Sequence, residues 1–526
     1  MSATTLMPKE YIAFDTETTG LDHTGQIIQI GMIRLNKDLQ ETERTEMYCM
    51  LNPLNIPAVG AFKTHQIPLS KIMEEGMFEP EFARAVNDTF LKNPDTCVLG
   101  YNSIKFDDNR TRELFYRNMV DPYQREYMSG NSRYDVLKLT RALKVFKPDA
   151  IEWPYREDGE PSMKLEDIAP LNNIIQENAH DAISDVEATI GLMALIKEKE
   201  PAFFDYTMKL RDKAFVSSVT YNKPFLMVGD GPSRDNMYTG VLLPVASHPQ
   251  NKNSTICINV ADIKPGELNN TVDKILSIPP EELENYIYTR DKEKKLPIME
   301  VKANQLPFVF TPALLKDEGV QERTNINYND AMQNVKELSN HSAFADISKH
   351  IFEAYKRDMP FPDDVYGHIY KGFVSNMDKK TISRLSTDNY GDWEHIGANV
   401  SDERVPQLIE RAVGNIDMEL LSEEGKTSFE SLMKDRYNDL SGKYGETLPK
   451  FWYEASEVKS SKEETKEVKA IIKELEEHVD YYASKYAPEL LANKKEHVKE
   501  YGASIEKEMI EQEKDKKAKP ENSPKP

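Results

Sequence analysis

The stretch YIAFDTETTG, residues 11–20, limits the fold of this chain more than any other. Its opening, YIAFDTE over 11–17, reads as a short buried strand. Side chains at i and i+2 of a strand share a face, so Asp15 and Glu17 stand together at the strand's end. Two carboxylates so placed repel each other, and a fold that keeps them needs something to offset the repulsion. A hard divalent cation does this, taking carboxylate oxygens and keeping water and phosphate oxygens as its other ligands. Taken alone, the pair is explained equally well by a strand running out into a polar turn.

Two more strand patterns follow, IIQIGMIRL (27–35) and RTEMYCML (44–51), and TGLDHTG with Gly20 and Gly25 forms the first turn. Together they predict an antiparallel meander. Helical spacing marks EPEFARAVNDTFLK (79–92), DDNRTRELFYRN (107–118), YDVLKLTRALKVF (134–146) and HDAISDVEATIGLMALIKEK (180–199), with a strand CVLGYN (97–102) among them. This order predicts an α/β domain over 1–200. Short β-like runs then appear, SSVTYN, FLMVGD, TGVLLPV, TICINV and FVF, with LSIPPEELENYIYTR as a helical insert. They predict a small β-rich domain over 201–327. From 328 to 505 the pattern is helical. Residues 506–526, EKEMIEQEKDKKAKPENSPKP, lose apolar periodicity and read as a disordered tail.

At 526 residues the chain exceeds what one core usually holds. No run approaches the ~18 apolar residues of a membrane span, and MSATTLMPKE lacks the basic and apolar regions of a secretory signal. Cys49, Cys97 and Cys257 are too widely spaced for a disulfide framework or a zinc cluster. A reducing, cytoplasmic setting fits. The net charge of −22 argues against a nucleic-acid binder, because phosphate contacts need Lys and Arg. A local basic channel on an acidic body answers that objection.

Two further motifs join the Asp-x-Glu pair. KFDDNRTRELF places Asp107 and Asp108 after a strand, and Asp108 sits near a helix start, where an acid also serves as a cap. HDAISD places His180 just outside a helix, Asp181 at its N-cap and Asp185 one turn inside. The constellation chosen is Asp15, Glu17, Asp108, His180 and Asp185. Four carboxylates and an imidazole suit phosphodiester hydrolysis assisted by two metal ions. The imidazole, with a pKa near neutrality, is the candidate base, kept unprotonated by the helix N-terminus.

The constellation resembles the DEDD exonucleases of the His-containing subclass. GYNSIKFDDNRTRELFYRNMVDPY, NSRYDVLKLTRA, IEWPYREDGEPSMKLEDI, NAHDAISDVEATIGLM, SHPQNKNSTICINVAD and DDVYGHIYKGFVSNMDKKTI are similar to the bacterial exonuclease I family. That resemblance implies a ribonuclease H-like exonuclease domain, a small SH3-like β domain and an all-helical C-terminal domain, which together form a groove for one DNA strand. It implies processive, Mg²⁺-dependent 3′→5′ digestion of single-stranded DNA to 5′-mononucleotides in repair and recombination, with two ions per site and Mn²⁺ able to substitute. Asp15, Glu17, Asp108 and Asp185 would bind metal, with His180 as the base.

By the same resemblance, Thr18, Asn102, Arg112, Tyr116, Arg141, Lys164, Asn251, Asn253 and Asn304 are candidate DNA contacts. Lys164 stands where the family has Arg, keeping the charge but losing the bidentate fork. Asn251 and Asn253 serve a hairpin-like turn equally well. Phe62, Tyr101, Phe106 and Tyr116 are candidate stacking platforms, worth ~1–3 kcal/mol per base, with core packing as the alternative for each. Lys147 and Tyr206 match positions that dock the acidic, Phe-terminated tail of single-stranded DNA-binding protein. A monomer without membrane contact is expected. Two rival readings are an RNA-directed exonuclease of the same superfamily and a non-catalytic adaptor that kept the fold.

Overall fold

The structure, a computed structural model, describes residues 7–176, 181–289, 291, 293–356 and 361–518. The first sheet contains β1 (Glu10–Thr18), β2 (Ile27–Asn36), β3 (Glu41–Tyr48), β4 (Thr96–Gly100) and β5 (Ser132–Asp135), in spatial order β3-β2-β1-β4-β5. β1, β2 and β3 form the expected antiparallel meander, while β1, β4 and β5 run parallel. The near-continuous apolar run of β2 is buried almost throughout, as a strand covered on both faces must be. The helix Ala182–Lys199 lies across β1 and β2. β5 corrects the helix expected from 134: Tyr134 pairs with Leu99 in the sheet, and the helix starts at Val136. Asp135 ends the strand and caps the helix, accepting from the Leu137 N–H.

The second sheet is wholly antiparallel. It contains β6 (Phe225–Val228), β7 (Thr239–Ser247), β8 (Ser254–Asn259), β9 (Ile298–Lys302) and β10 (Phe308–Phe310), in order β10-β6-β7-β8-β9. SSVTYN, read as β-like, instead lies largely in the helix Lys213–Thr220, which Asp212 caps by accepting from the Ala214 N–H. Among the described residues of the insert LSIPPEELENYIYTR, only Glu284–Ile287 and the end of the helix Leu268–Ser277 are helical. The helices Tyr328–Ser339 and Phe344–Ala354 bury Ala331, Val335, Leu338, Ile347 and Ile351 in the core that holds Val241 and Ile256. Packing therefore carries the β domain past the division expected after 327.

The C-terminal region is helical. Arg404–Ile416, Glu423–Tyr437, Leu448–Ser460 and Lys466–Tyr486 enclose Trp452, Phe429 and Leu475. The final helix runs Lys494–Ala518, so the tail expected to be disordered from 506 is helical that far. Its Glu, Lys, Met and Ala residues are strong helix formers, and intrinsic propensity replaces the missing apolar stripe.

The exonuclease-like domain is wedged between the other two. Its core is continuous with that of the β domain through Tyr134, Phe308 and Phe310. On its other side Ile28, Leu51, Phe62 and Tyr116 bury against Val413, Phe451 and Trp452. Hydrogen bonds cross that second seam: Tyr437 donates to Pro53 O (2.9 Å) and Arg436 Nε to Leu54 O (3.2 Å).

Candidate active site

Asp15 and Glu17 occupy the C-terminal end of β1, opposite Gly31 and Gln29 of β2. Gly31 decides what can reach them. A Cβ there would lie 2.9 Å from the backbone of Ala182 and Ile183, so only glycine lets this helix start settle on the sheet. Asp181 caps the helix, accepting from the Ser184 N–H. Its other oxygen accepts from Gln29 Nε2 at 3.3 Å. One turn on, Asp185 reaches the β1 acids. Ligand oxygens of Asp15, Glu17 and Asp185 all lie within 4.8 Å of one another. Gln176 Nε2 donates to Asp185 Oδ1 at 2.6 Å and orients it.

The fourth acid is Asp107, which corrects the expectation for Asp108. Asp107 Oδ1 accepts from the Thr16 N–H (3.1 Å) and hydroxyl (2.6 Å), and its charge acts on both strand acids. Asp108, one helical step of about 100° away, turns into the protein. There it meets Arg125 Nη2 at 2.5 Å and Arg133 Nη1 at 3.0 Å. Sequence offered both aspartates, and only packing separates them.

The two environments push the acids apart electrostatically. Burial, then the charges of Asp107, Glu17 and Asp185, hold Asp15 well above the carboxylate range. Burial, followed by Asp185 and Asp107, pushes Glu17 up to about 9. Burial raises Asp107 to about 7 against the bonds from Thr16. Burial works on Asp108 too, but the Arg125 and Arg133 guanidiniums win and hold it below its usual value. A buried cluster of carboxylates with no thiolate among them is the donor set of a hard divalent cation, whose charge relieves the repulsion. The residues present fit such an ion. His180 lies outside the described residues.

Three families match successive stretches of the chain: exonuclease over 12–193, exonuclease I SH3-like domain over 211–354 and exonuclease I C-terminal domain over 363–482. The exodeoxyribonuclease I of Haemophilus influenzae is 32% identical over 414 residues, covering 76% of this chain and 84% of that one. The chain belongs to the exonuclease I family. It is an exodeoxyribonuclease with a ribonuclease H-like domain, an SH3-like domain and a helical C-terminal domain. The zinc-bound form of the E. coli exonuclease I–ssDNA complex superposes with a TM-score of 0.80 at 26% identity, covering 90% of this chain and 100% of that one. The single-stranded DNA-binding protein/exonuclease I structure in complex with the inhibitor CFAM gives 0.79 at 25%, covering 90% and 100%.

The other residues singled out in this exonuclease I chain are placed as follows. Thr18 is buried, and its hydroxyl donates to Gly20 O. The Asn102 N–H donates to Asp135 Oδ1, and the residue adopts φ +63° in the turn before Asp107. Arg112 is gripped by both carboxylate oxygens of Glu126, at 2.6 and 2.9 Å, and lies over Tyr123. Tyr116 is buried at the seam with the C-terminal domain, donating to Val365 O, and Phe62 is in the core. Tyr116 also lines an open groove with Tyr123, Tyr127 and Phe373. Tyr101 is half-buried with its hydroxyl on Met163 O, and Phe106 is half-buried beside Asp107.

Arg141 pairs with Asp230 of the β domain and stacks on Tyr238. Lys164 is exposed and bonds Glu166. Asn251 accepts from the Asn253 N–H within the β7–β8 turn. Asn304 is exposed, and its carbonyl accepts from Arg133. Lys147 pairs with Glu200 (3.2 Å), and Tyr206 stacks on Phe310 while donating to Val309 O. Sequence reasoning passed over Thr16, Gln29, Gln176 and Lys105. Lys105, two residues before Asp107, is 56% exposed and bonds Asp230. A cation flanking the FDD motif was its only signal.

Proposed function

We propose that the chain is a processive 3′→5′ exonuclease that releases 5′-mononucleotides from single-stranded DNA. The observation that carries this reading is the convergence of Asp15, Glu17 and Asp185 within 4.8 Å, with Asp107 braced beside them. Asp15, Glu17, Asp107 and Asp185 would hold two divalent cations, Mg²⁺ in the cell with Mn²⁺ able to substitute. Bound there, the cations supply charge neutralisation for attacking and leaving oxygens. The chain's own groups do the rest. Thr16 holds Asp107, Gln176 holds Asp185, and the Asp181 cap with Gln29 fixes the helix start. His180, which precedes the Asp181 cap in sequence, would accept the proton from the attacking water.

The DNA complex of the E. coli relative supports the strand as substrate, and the single-stranded DNA-binding protein/exonuclease I complex supports that protein as a partner; its acidic tail would dock at Lys147 and Tyr206, the positions the resemblance implies. We place the enzyme in the cytoplasm as a monomer serving DNA repair and recombination. Among the described residues no helix is long and apolar enough to cross a membrane.

The test is Mg²⁺-dependent digestion of end-labelled single strands, with duplex, RNA and 3′-phosphate-blocked controls. Mononucleotide release from the free 3′ end, abolished by chelator and by Asp15→Asn with strand binding retained, is the expected result. Faster loss of RNA than of DNA, or no release by the wild type, would remove the reading.

A further inference from the structure

The β domain is held to the exonuclease domain by more than the shared apolar core. Residues 303–307 join β9 to β10, and consecutive peptide carbonyls of this loop meet two cations of the exonuclease domain. Arg133 Nη2 donates to Asn304 O at 3.1 Å. Lys138 Nζ donates to Gln305 O at 2.9 Å and to Leu306 O at 3.2 Å. Both cations are only 8% exposed. Leu306 adopts φ +50°, a left-handed conformation that costs a branched side chain energy. The loop is therefore wound so that successive carbonyls face inward, a geometry the two cations reward. A buried ammonium on carbonyl dipoles is screened by salt far less than a surface ion pair.

The two cations differ in what else they hold. Arg133 also binds Asp108 through Nη1 (3.0 Å) and Glu126 through Nε (3.2 Å). It therefore ties the neighbour of Asp107 to the main chain of the β domain. Lys138 grips the same loop and has no hydrogen bond to the acid cluster among the described residues. Asn304 projects, exposed, from the clasped segment.

We propose that Arg133 and Lys138 are positioning residues whose clasp on 304–306 fixes one wall of the strand track over the acid cluster, so that the polymer is retained between successive cleavages. This rests on the reading of the chain as a processive exonuclease, and the two cations divide the effect. Losing Lys138 loosens the wall alone. Losing Arg133 loosens the wall and also removes one of the two guanidiniums that hold Asp108.

The test uses the full-length enzyme with Mg²⁺. Nucleotides removed per encounter are counted on a long labelled strand with excess unlabelled trap, beside turnover on a trinucleotide. Lys138→Met is expected to shorten the run roughly tenfold, the size of a lost hydrogen bond to a charged group, with trinucleotide turnover unchanged. Lys138→Arg is expected to restore the run. Arg133→Ala is expected to lower both. Lys138→Gln, which keeps the packing and one donor, gives an intermediate run and serves if the Met variant does not fold. Wild-type run length in Lys138→Met or Lys138→Gln overturns the proposal. A wild type that digests long strands one nucleotide per encounter overturns the processive reading instead.

Discussion

At the scale of single residues, adjacent aspartates have opposite fates. Asp107 adds a carboxylate to a site already crowded with them, while Asp108 neutralises two buried guanidiniums. Asp107→Asn should therefore cut turnover by more than the ~10–100-fold lost with an outer-shell partner of a metal site. It should leave the melting temperature unchanged or higher, because it removes a repelling charge. Asp108→Asn should do the reverse, costing about 3–5 kcal/mol in denaturant titration by leaving buried cations unpaired. Equal stability losses in the two variants would refute the assignment. The same cluster sets a pH dependence. Asp15, Glu17 and Asp107 have raised folded-state pKa values, so without metal the folded chain binds more protons than the unfolded one between about pH 4.5 and 9. Stability in chelator should fall as pH rises through that window, and millimolar Mg²⁺, which binds the deprotonated set, should flatten the fall. Thermal melts across pH with and without chelator measure this, and a pH-independent midpoint in chelator would count against the buried cluster.

At the scale of elements, the site depends on one helix reaching one strand. Gly31→Ala would set a methyl 2.9 Å from the backbone of Ala182 and Ile183, atoms that no rotamer can move. The overpacking should cost about 1–3 kcal/mol, with activity falling further than stability because Asp185 rides on that helix. Gly60→Ala, in open space on the helix Val59–His65, is the control and should stabilise slightly. If both substitutions leave nucleotide release intact, Gly31 is not what seats the helix. The β1 and β2 runs and the HDAISD cap were legible because apolar periodicity and capping chemistry are local. β5 was missed because four strand residues run straight into a helix whose cap, Asp135, belongs to both. SSVTYN misled because its β-branched residues sit where Asp212 starts a helix. β9 went unread because Glu300 and Lys302 interrupt its apolar pattern. At the site, residue types and spacings were visible, but the choice between Asp107 and Asp108 required knowing where Arg125 and Arg133 fold.

At the scale of the whole molecule, an enzyme of net charge −22 has to attract a polyanion. The fold meets this by gathering cations on the exonuclease side of its seam with the β domain. Arg133 and Lys138 are occupied by main-chain carbonyls. Lys105 and Arg141 converge on a single oxygen of Asp230, at 2.8 and 2.9 Å. Two cations sharing one carboxylate leave an excess of positive charge, and Lys105 is both exposed and two residues from Asp107. A backbone phosphate entering the seam would compete with Asp230 for Lys105, and Asp230 would then tune strand binding. In catalytically silent Asp15→Asn protein, strand affinity should fall linearly on a log–log plot against KCl, with a slope of about −0.7 per phosphate neutralised. Lys105→Ala should make that slope shallower by about one such contact. Asp230→Asn should tighten binding at low salt. A slope near zero in the parent protein would mean that the acidic body admits the strand without neutralising its phosphates. Affinity unchanged by either substitution would place the strand away from this seam.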